Sequence, residues 1–440
     1  MAFSLHRYLN LHAFNGKIPT VLIMKERKKM ADKVEVLDSI MGSGKTTAML
    51  QWMTKNYTER YIYISPLLSE VEERLVDTIP ELSFIAPDNE CSTKSEDLLK
   101  LLKEGRNIGA THNLFRRMTK EHLKWIKDWG YVVVVDEELE MIMPYTEYSR
   151  GDLMWLGEKG TISIGEKQEL VWKDDSMPDD TKYQRLRNMC DLGMLYVSKR
   201  DWSMVTIQLP TELITSAKRV IVLTYMFEGS IFDKFLEMKG IAKTRFTEVD
   251  GQVLHVSKSD IKRLVSMIGD KQVLPYDDGT KAGLLSSSWY TKSTSDLSNV
   301  SLMIRNICLG ANAKAEDVMW TAKGSYSYGS ETKGKRLVKP KGYLKYKADG
   351  AELPCWVACN AKATNKYQNK SVLVHCYNRY PHTVLRAFMA DVGHPIDDDR
   401  FAIAEMLQWI WRSRIRKGEE IKLAILSKRM RELFLKWLND

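Results

Sequence analysis

The sequence predicts an α/β protein with two tandem parallel-sheet domains and an insertion in the first domain. A strand, glycine turn and helix pattern occupies residues 34–53, and an apolar β-branched run at 131–135 ends in three carboxylates. The second half of the chain has its own alternation of strand and helix patterns. Because 440 residues exceed one ordinary core, we expect a first domain at 1–235, an insertion at about 145–205 and a second domain at 236–440.

The composition is that of a globular protein with a mildly basic charge. Lysine and arginine number 66 against 57 acidic residues, which gives a net charge of +9. That sign suits a polyanionic partner, although a basic protein without nucleic acid can carry the same charge. The six irregularly spaced cysteines indicate a reducing compartment. No run approaches the roughly 20 apolar residues of a membrane span or forms a signal-peptide core, so we expect a cytoplasmic protein without membrane contact.

The glycine turn in the first pattern predicts a phosphate-binding loop. A short apolar strand leads into Gly-Ser-Gly-Lys-Thr-Thr, and helical apolar spacing follows from Ala48. Glycines let successive backbone N–H groups turn toward phosphate oxygens, and the following helix directs its positive end to the same place. We expect Lys45 to reach the β- and γ-phosphates of ATP and the Thr46 hydroxyl to bind Mg²⁺. The predicted nucleotide-binding residues of this loop are Gly42, Ser43, Gly44, Lys45, Thr46 and Thr47.

The apolar run that begins at Tyr131 predicts a strand buried on both faces, at the centre of a parallel sheet. Its carboxyl end carries Asp136, Glu137 and Glu138. Carboxylates rarely end such a strand unless a cation or a proton transfer requires them. We therefore expect Asp136 to hold the Mg²⁺ that it shares with Thr46, and Glu137 to orient and deprotonate the attacking water.

Two further strands of the first domain end in candidate ligand contacts. The strand from Tyr61 leads into Pro66, and a strand from Asn107 ends at Thr111 and His112. Parallel sheets place ligand contacts at the carboxyl ends of their strands, so these residues are candidates for binding. An ordinary helix N-cap explains Thr111 almost equally well.

Three segments in the middle of the second domain have distinctive compositions. A serine-rich strand is predicted at 283–290. Residues 324–350 interleave lysines with tyrosines, which suits single-stranded nucleic acid, and a flexible solvated loop is an equal alternative. Two apolar strands then flank a polar turn that contains Asn360 and Thr364.

A helix with basic residues is predicted at 401–417. Gln408, Arg412 and Arg416 fall four residues apart, which places them on one face of that helix. Arg414 should face elsewhere if the segment is helical throughout.

These motifs together resemble those of superfamily 2 helicases, and more specifically those of helicase-like proteins from bacteriophages. The small Ser39 before Gly-x-Gly-Lys-Thr, the Asp136–Glu137 pair and the arginine spacing after Gln408 carry the resemblance to the superfamily. The runs Asn-Ala-Lys-Ala-Thr-Asn and Gln-Trp-Ile-Trp-Arg-Ser-Arg-Ile-Arg suggest the phage group.

The resemblance implies two RecA-like domains with ATP and Mg²⁺ in the cleft between them and nucleic acid across their shared upper face. It covers about 34–430, apart from the insertion and 230–282. Arg412 and Arg416 are implied to act as arginine fingers, and Gln408 to contact the nucleotide. The residues implied to contact nucleic acid are Pro66, Thr111, His112, Asn360 and Thr364.

The expected function is an ATP-dependent helicase or translocase of phage DNA replication or recombination, which converts ATP and water to ADP and phosphate. Single-stranded or forked DNA is the favoured partner, with replication proteins as further candidates, in the cytoplasm of the host cell. One alternative is a terminase-like packaging ATPase, whose nuclease would have to use Asp391 and 397–399. Another is a non-unwinding ATP switch or origin-binding protein. No oligomeric state is predicted.

Overall fold

The fold is described by a computed structural model for most of the chain. The described residues are 33–67, 75, 78–88, 93–176, 178, 181–274, 283–292, 294–327, 336–348, 350–361 and 366–440. Thr364 and part of the lysine- and tyrosine-rich segment lie outside these residues.

The strands of the described residues alternate with helices along most of the chain. The strands are β1 (Lys33–Asp38), β2 (Tyr61–Ser65), β3 (Ile108–Thr111), β4 (Val132–Asp136), β5 (Ile142–Pro144), β6 (Ile162–Ile164), β7 (Leu170–Trp172), β8 (Leu195–Val197), β9 (Val205–Gln208), β10 (Arg219–Thr224), β11 (Ala242–Arg245), β12 (Val265–Met267), β13 (Val318–Thr321), β14 (Lys345–Ala348), β15 (Ala351–Pro354), β16 (Val372–His375) and β17 (Ile421–Ile425). The helices are α1 (Lys45–Lys55), α2 (Lys94–Lys103), α3 (His112–Phe115), α4 (Lys120–Trp129), α5 (Arg150–Glu158), α6 (Gln184–Asp191), α7 (Glu212–Thr215), α8 (Ile231–Met238), α9 (Lys258–Leu264), α10 (Ser287–Thr291), α11 (Leu297–Gly310), α12 (Thr383–Asp391), α13 (Asp398–Ile410) and α14 (Lys428–Asn439).

The first sheet has six parallel strands in the order β11-β1-β10-β4-β2-β3. All five residues of β4 are buried, and the strand lies between β10 and β2, as its apolar run predicts. Because all strands run in the same direction, the loop after β1 and the carboxylates after β4 lie at one edge of the sheet. The first domain also continues beyond the predicted boundary at residue 235, since Lys243 of β11 pairs with Val34 of β1.

The second sheet has four parallel strands in the order β12-β17-β16-β13. Apolar residues of α13 and α14, among them Met406, Trp409 and Phe434, pack with Leu373 and Leu423 of this sheet in one buried cluster. A short antiparallel hairpin, β14–β15, lies outside the sheet. The predicted fold class, α/β with two parallel-sheet domains and an insertion in the first, is confirmed.

The insertion forms a small unit with its own core. Strands β5, β9 and β8 form an antiparallel sheet, β6 and β7 form a hairpin, and Leu153, Leu156 and Leu186 lie in the buried cluster between them. The unit also contacts helix α12 of the second domain, where the Lys199 backbone N–H donates to the Asp391 carboxylate at 2.9 Å. The insertion therefore touches both halves of the protein.

The aromatic residues of the lysine- and tyrosine-rich segment pack inward where the structure describes them. Tyr343 is only 6% exposed. Tyr326 stacks on Tyr290 with 6.3 Å between ring centroids, and the Lys370 ammonium lies 3.4 Å from the centroid of the Tyr346 ring. These three tyrosines pack on the second-domain core, Tyr326 and Tyr346 only in part, and the nucleic-acid interpretation of the segment stays a prediction.

The serine-rich stretch at 283–290 is not a strand. It forms a turn followed by helix α10, because the Ser286 hydroxyl accepts a hydrogen bond from the Trp289 backbone N–H at 3.3 Å and caps the helix. None of the described helices is long and apolar enough to cross a membrane.

Candidate active site

The phosphate-binding loop predicted between β1 and α1 has the backbone that its glycines allow. Gly42 and Gly44 have φ angles of 79° and 84°, in the left-handed region that residues with a Cβ rarely adopt. Helix α1 begins at Lys45, and the Ala48 N–H donates to the Gly44 carbonyl at 2.9 Å. The first N–H groups of a helix have no partner within the helix, so the loop and the helix together form a site suited to an anion.

The Lys45 ammonium lies folded over its own loop. It donates to the carbonyl oxygens of Ser39 and Ile40, the second at 3.0 Å. Burial lowers the pKa of Lys45 to about 8, against the opposing effects of the Asp136, Asp38 and Glu137 carboxylates. Phosphate oxygens would replace the two carbonyls as partners and would stabilise the charged form of the lysine.

Asp136 and Glu137 occupy the carboxyl end of β4 with different surroundings. Asp136 is 9% exposed, and the Tyr63 hydroxyl donates to its Oδ2 at 3.0 Å. Glu137 has a φ of 65°, and its N–H donates to the Leu223 carbonyl at 3.0 Å. The strand ends at Asp136, the left-handed turn follows at Glu137, and both carboxylates line the cavity described below.

The basic segment of the second domain is not one continuous helix. Helix α13 ends at Ile410 and a separate 3₁₀ turn covers Arg414–Lys417, so the prediction of a helix through residue 417 is wrong. Ser413 causes the break: its backbone is extended (ψ −173°), and its hydroxyl donates to the Ile410 carbonyl at 2.7 Å. A serine side chain that bonds to the preceding backbone competes with helix continuation.

Arg412 nevertheless reaches the first domain. Its Nη2 donates to Glu137 Oε1 at 3.1 Å, across 275 residues of sequence, and its Nε donates to the Ala361 carbonyl at 3.2 Å. Arg416 packs beside the glycine loop, with its Cγ 3.6 Å from where a Cβ of Gly42 would stand. Arg414 faces away from the loop, as predicted, and bonds to the Glu420 carbonyl. The reason is its place in the separate 3₁₀ turn and not its position around a continuous helix.

Residues from both domains that are predicted to bind the nucleotide line one cavity of about 110 Å³. Its lining consists of Met41, Gly42, Lys45, Thr46, Asp136, Glu137, Leu223, Thr224, Tyr225, Gln408, Trp411, Arg412 and Arg416. A more open groove of about 800 Å³ continues from it along α1 and includes Gly44 and Thr47. Ser43 lies behind the loop, and its buried hydroxyl has no hydrogen-bond partner among the described residues.

The residues of this cavity fit a magnesium nucleotide. A threonine hydroxyl and a carboxylate are ligands that Mg²⁺ prefers, and here Thr46 and Asp136 line the same cavity. An ammonium and two guanidinium groups in the same lining suit the negative charge of a triphosphate.

The predicted nucleic-acid residues are placed less uniformly. Pro66 follows β2, and Thr111 pairs with Ser65 of that strand, so both lie at the edge that carries the cavity. The Thr111 hydroxyl caps helix α3 by accepting from the Leu114 N–H at 3.3 Å. His112 is 7% exposed, and its Nε2 lies 2.8 Å from the Asp136 carbonyl oxygen, which favours support of Asp136 over contact with nucleic acid.

Asn360 lies at a second cavity between the domains. This cavity of about 420 Å³ shares Glu137, Tyr225 and Gln408 with the first one. Asn360 therefore lines the same cavity as the predicted water-activating carboxylate, from the second domain. Thr364 lies outside the described residues.

Sequence patterns did not mark three side chains of this region: the hydroxyl groups of Tyr63 and Tyr225, and the buried carboxyl group of Glu138. Tyr63 lies within the apolar pattern of β2 and Tyr225 directly follows that of β10, and neither sequence context marks the hydroxyl that bonds to Asp136 or the one at the cavity. Glu138 receives a hydrogen bond from the Thr224 hydroxyl at 3.1 Å, and burial raises its pKa to about 8. The run of three carboxylates was the only available signal for Glu138.

The late acidic residues required by a packaging nuclease have structural partners. Asp397 caps α13 by accepting from the Asp399 and Arg400 N–H groups. Asp398 pairs with Arg386 at 2.6 Å, and Asp399 pairs with Arg429 at 2.6 Å. Within the described ranges no group of three or more histidine, cysteine or acidic residues has the arrangement of a metal site.

Two parallel-sheet domains with a glycine loop at their junction place this protein in a class of α/β proteins whose fold is shared by a solved structure. A solved structure titled "XPD_APO" aligns with a TM-score of 0.52 and 14% identity, covering 93% of this chain and 95% of the other. A structure titled "Structure of S. tokodaii Xpd4" aligns with 12% identity over 92% and 94% of the two chains, but its TM-score of 0.37 is too low to establish a shared fold.

In sequence, the chain is similar to a prophage protein. It is 28% identical to "SPbeta prophage-derived uncharacterized protein YonV" of Bacillus subtilis (strain 168), over 93% of this chain and 99% of that protein. A model described as the YonV C-terminal Rossmann-like domain matches residues 259–438, and a model described as the YonV middle domain matches 145–205. The second match covers the segment that the sequence sets apart as an insertion, and the prophage relative agrees with the phage group suggested by the sequence.

Proposed function

We propose that this protein is an ATP-hydrolysing helicase or translocase that acts on nucleic acid. The observation that carries the proposal is the interdomain cavity. Lys45, Thr46, Asp136 and Glu137 of the first domain and Gln408, Arg412 and Arg416 of the second line one cavity, and Arg412 bonds to Glu137 across the domains. An enzyme that couples domain movement to phosphoryl transfer needs this division of its residues between two bodies.

Each residue has a role that its surroundings support. The glycine-loop backbone and Lys45 bind the phosphates, and Thr46 and Asp136 hold Mg²⁺, which would neutralise charge on the phosphates when bound. Glu137 accepts a proton from the attacking water. Arg412 and Arg416 place positive charge where it develops on the transferred group, and Arg412 leaves its ion pair with Glu137 to do so.

The nucleic-acid substrate is proposed from charge and position. The net charge of +9 suits a polyanion, and Pro66 and Thr111 lie at the sheet edge that carries the cavity. DNA in single-stranded or forked form is the favoured substrate, with phage replication or recombination as the setting in the host cytoplasm. The structural use of 397–399 as a cap and as ion-pair partners favours this function over a nuclease-bearing terminase.

Three measurements on the purified protein test the proposal. ATP hydrolysis is measured with and without single-stranded DNA, and strand displacement is measured on a forked duplex. Lys45→Ala should abolish hydrolysis, while Lys127→Ala, an exposed lysine on α4, should not. ATPase activity without strand displacement would favour a translocase or an ATP switch, and absence of any Lys45-dependent hydrolysis would refute the proposal.

A further inference from the structure

Tyr225 connects the nucleotide cavity to the C-terminal helix. It directly follows β10 in the first domain and lines the cavity. Its hydroxyl accepts a hydrogen bond of 3.0 Å from Nε1 of Trp437, in helix α14 of the second domain. This bond joins residues 212 positions apart, and Trp437 is only 8% exposed.

Trp437 also contacts the residue that precedes Arg412. The edge of one indole meets the face of the other in the pair Trp411–Trp437, with 6.0 Å between ring centroids and an interplanar angle of 90°. Trp411 is 5% exposed and lies where the chain leaves α13. Because packing holds the Trp411 ring, it also limits where the adjacent Arg412 backbone can lie.

The backbone beside Tyr225 is tied to the glycine loop. The N–H groups of Met226 and Phe227 donate to the two carboxylate oxygens of Asp38 at 2.8 and 2.9 Å. Asp38 is the last residue of β1, next to the loop that carries Lys45. A continuous series of contacts therefore leads from the phosphate-binding loop through Tyr225 and Trp437 to the arginine.

We propose that Tyr225 and Trp437 are positioning residues that set the location of Arg412 relative to the phosphate-binding loop. The inference rests on the proposed function of the cavity. Apolar packing alone permits two domains to slide, whereas a hydrogen bond between an indole N–H and a phenol oxygen is directional. A transition-state cation must be held within about 0.5 Å of its productive place, so a directional interdomain bond near Arg412 supports turnover by holding that arginine.

The test removes the hydroxyl group alone from Tyr225, and the indole N–H together with its five-membered ring from Trp437. Tyr225→Phe and Trp437→Phe both retain an aromatic ring. Trp172→Phe is the control, because Trp172 lies in the insertion, is also 8% exposed and donates through Nε1 to the Asp174 carbonyl at 2.8 Å. We expect each variant of the pair to lower kcat about fivefold to tenfold, as for one lost hydrogen bond expressed in the transition state, with an unchanged KM for ATP. The double variant should lose no more than the worse single variant.

A second readout does not require hydrolysis. Modification of Arg412 by phenylglyoxal, followed by mass spectrometry, reports how well that residue is held, because its side chain is only 10% exposed in the ion pair. Tyr225→Phe and Trp437→Phe should both raise the rate at which phenylglyoxal modifies Arg412, and Trp172→Phe should leave that rate unchanged. Wild-type protein without ATPase activity would refute the proposed function alone. Unchanged kcat and unchanged Arg412 protection in both variants would overturn the positioning role, as would additive losses in the double variant.

Discussion

Replacement of Arg412 tests the interdomain site most directly. Its guanidinium, in the second domain, bonds to a predicted catalytic residue of the first, with Nη2 at 3.1 Å from Glu137 Oε1. If Arg412 stabilises charge in the transition state, its removal should lower the rate of hydrolysis and leave ATP binding nearly unchanged. An arginine that acts in this way contributes about 10³–10⁵ in kcat.

The same substitution has a structural cost that must be separated from catalysis. Arg412 is 10% exposed and Glu137 is 26% exposed, so the pair is partly screened and its loss should cost about 1–3 kcal/mol of unfolding free energy. Such a loss lowers the melting temperature by several degrees and leaves a protein of ordinary stability folded at 25 °C. Thermal unfolding of each variant therefore accompanies the kinetics.

The assay compares three alanine variants without nucleic acid. Arg412→Ala should retain nucleotide binding and lose at least about 10³-fold in kcat. Arg416→Ala should be impaired in the same direction, because Arg416 lines the cavity and packs beside Gly42. Arg414→Ala is the matched control, since Arg414 bonds to the Glu420 carbonyl away from the cavity. Normal basal ATPase in Arg412→Ala and Arg416→Ala would refute the arginine-finger interpretation.

Three further outcomes are expected. Glu137→Gln should bind ATP and Mg²⁺ normally and hydrolyse ATP about 10²–10⁴-fold more slowly, whereas Asp136→Asn should weaken the Mg²⁺-dependent part of ATP binding. Equal phenotypes of the two variants in binding titrations and single-turnover assays would mean that the two roles are misassigned. ATP affinity should fall as the pH rises above about 8, because burial lowers the pKa of Lys45 to that value and the lysine loses its positive charge there. Lys45→Arg should lack this pH dependence, since arginine stays charged, and a wild-type affinity that stays constant up to about pH 9.5 would contradict the prediction. Single-stranded DNA should raise the ATPase rate, and its binding should weaken with increasing salt because the protein neutralises several DNA phosphates. An ATPase rate that no polynucleotide changes would count against a nucleic-acid substrate.

The placement of the first-domain residues of the candidate site could be predicted because its signals are local. A glycine loop between a strand and a helix, and a run of valines that ends in carboxylates, are short patterns whose geometry follows from backbone hydrogen bonding and burial. In an all-parallel sheet such strand ends share one edge, and the structure places Lys45, Thr46, Asp136 and Glu137 around one cavity there.

Predictions failed where a side chain changed the local backbone or where distant packing decided the outcome. Helical spacing at 401–417 missed the break at Ser413, whose hydroxyl bonds back to Ile410. A serine-rich strand was predicted where Ser286 caps a helix. The packing of Tyr343 and Tyr346 against the second-domain core likewise depends on residues far from them in sequence.

The sequence by itself determined the α/β class, the insertion, the glycine loop between β1 and α1 and the carboxylates after β4, because each depends on contacts among residues near one another in the chain. Only the tertiary structure decided that Arg412 meets Glu137, that Tyr63 supports Asp136 and that Trp437 bonds to Tyr225. These contacts join residues 73 to 275 positions apart. Such pairs arise from how two sheets and their helices pack, and local periodicity contains no information about which distant side chains will meet.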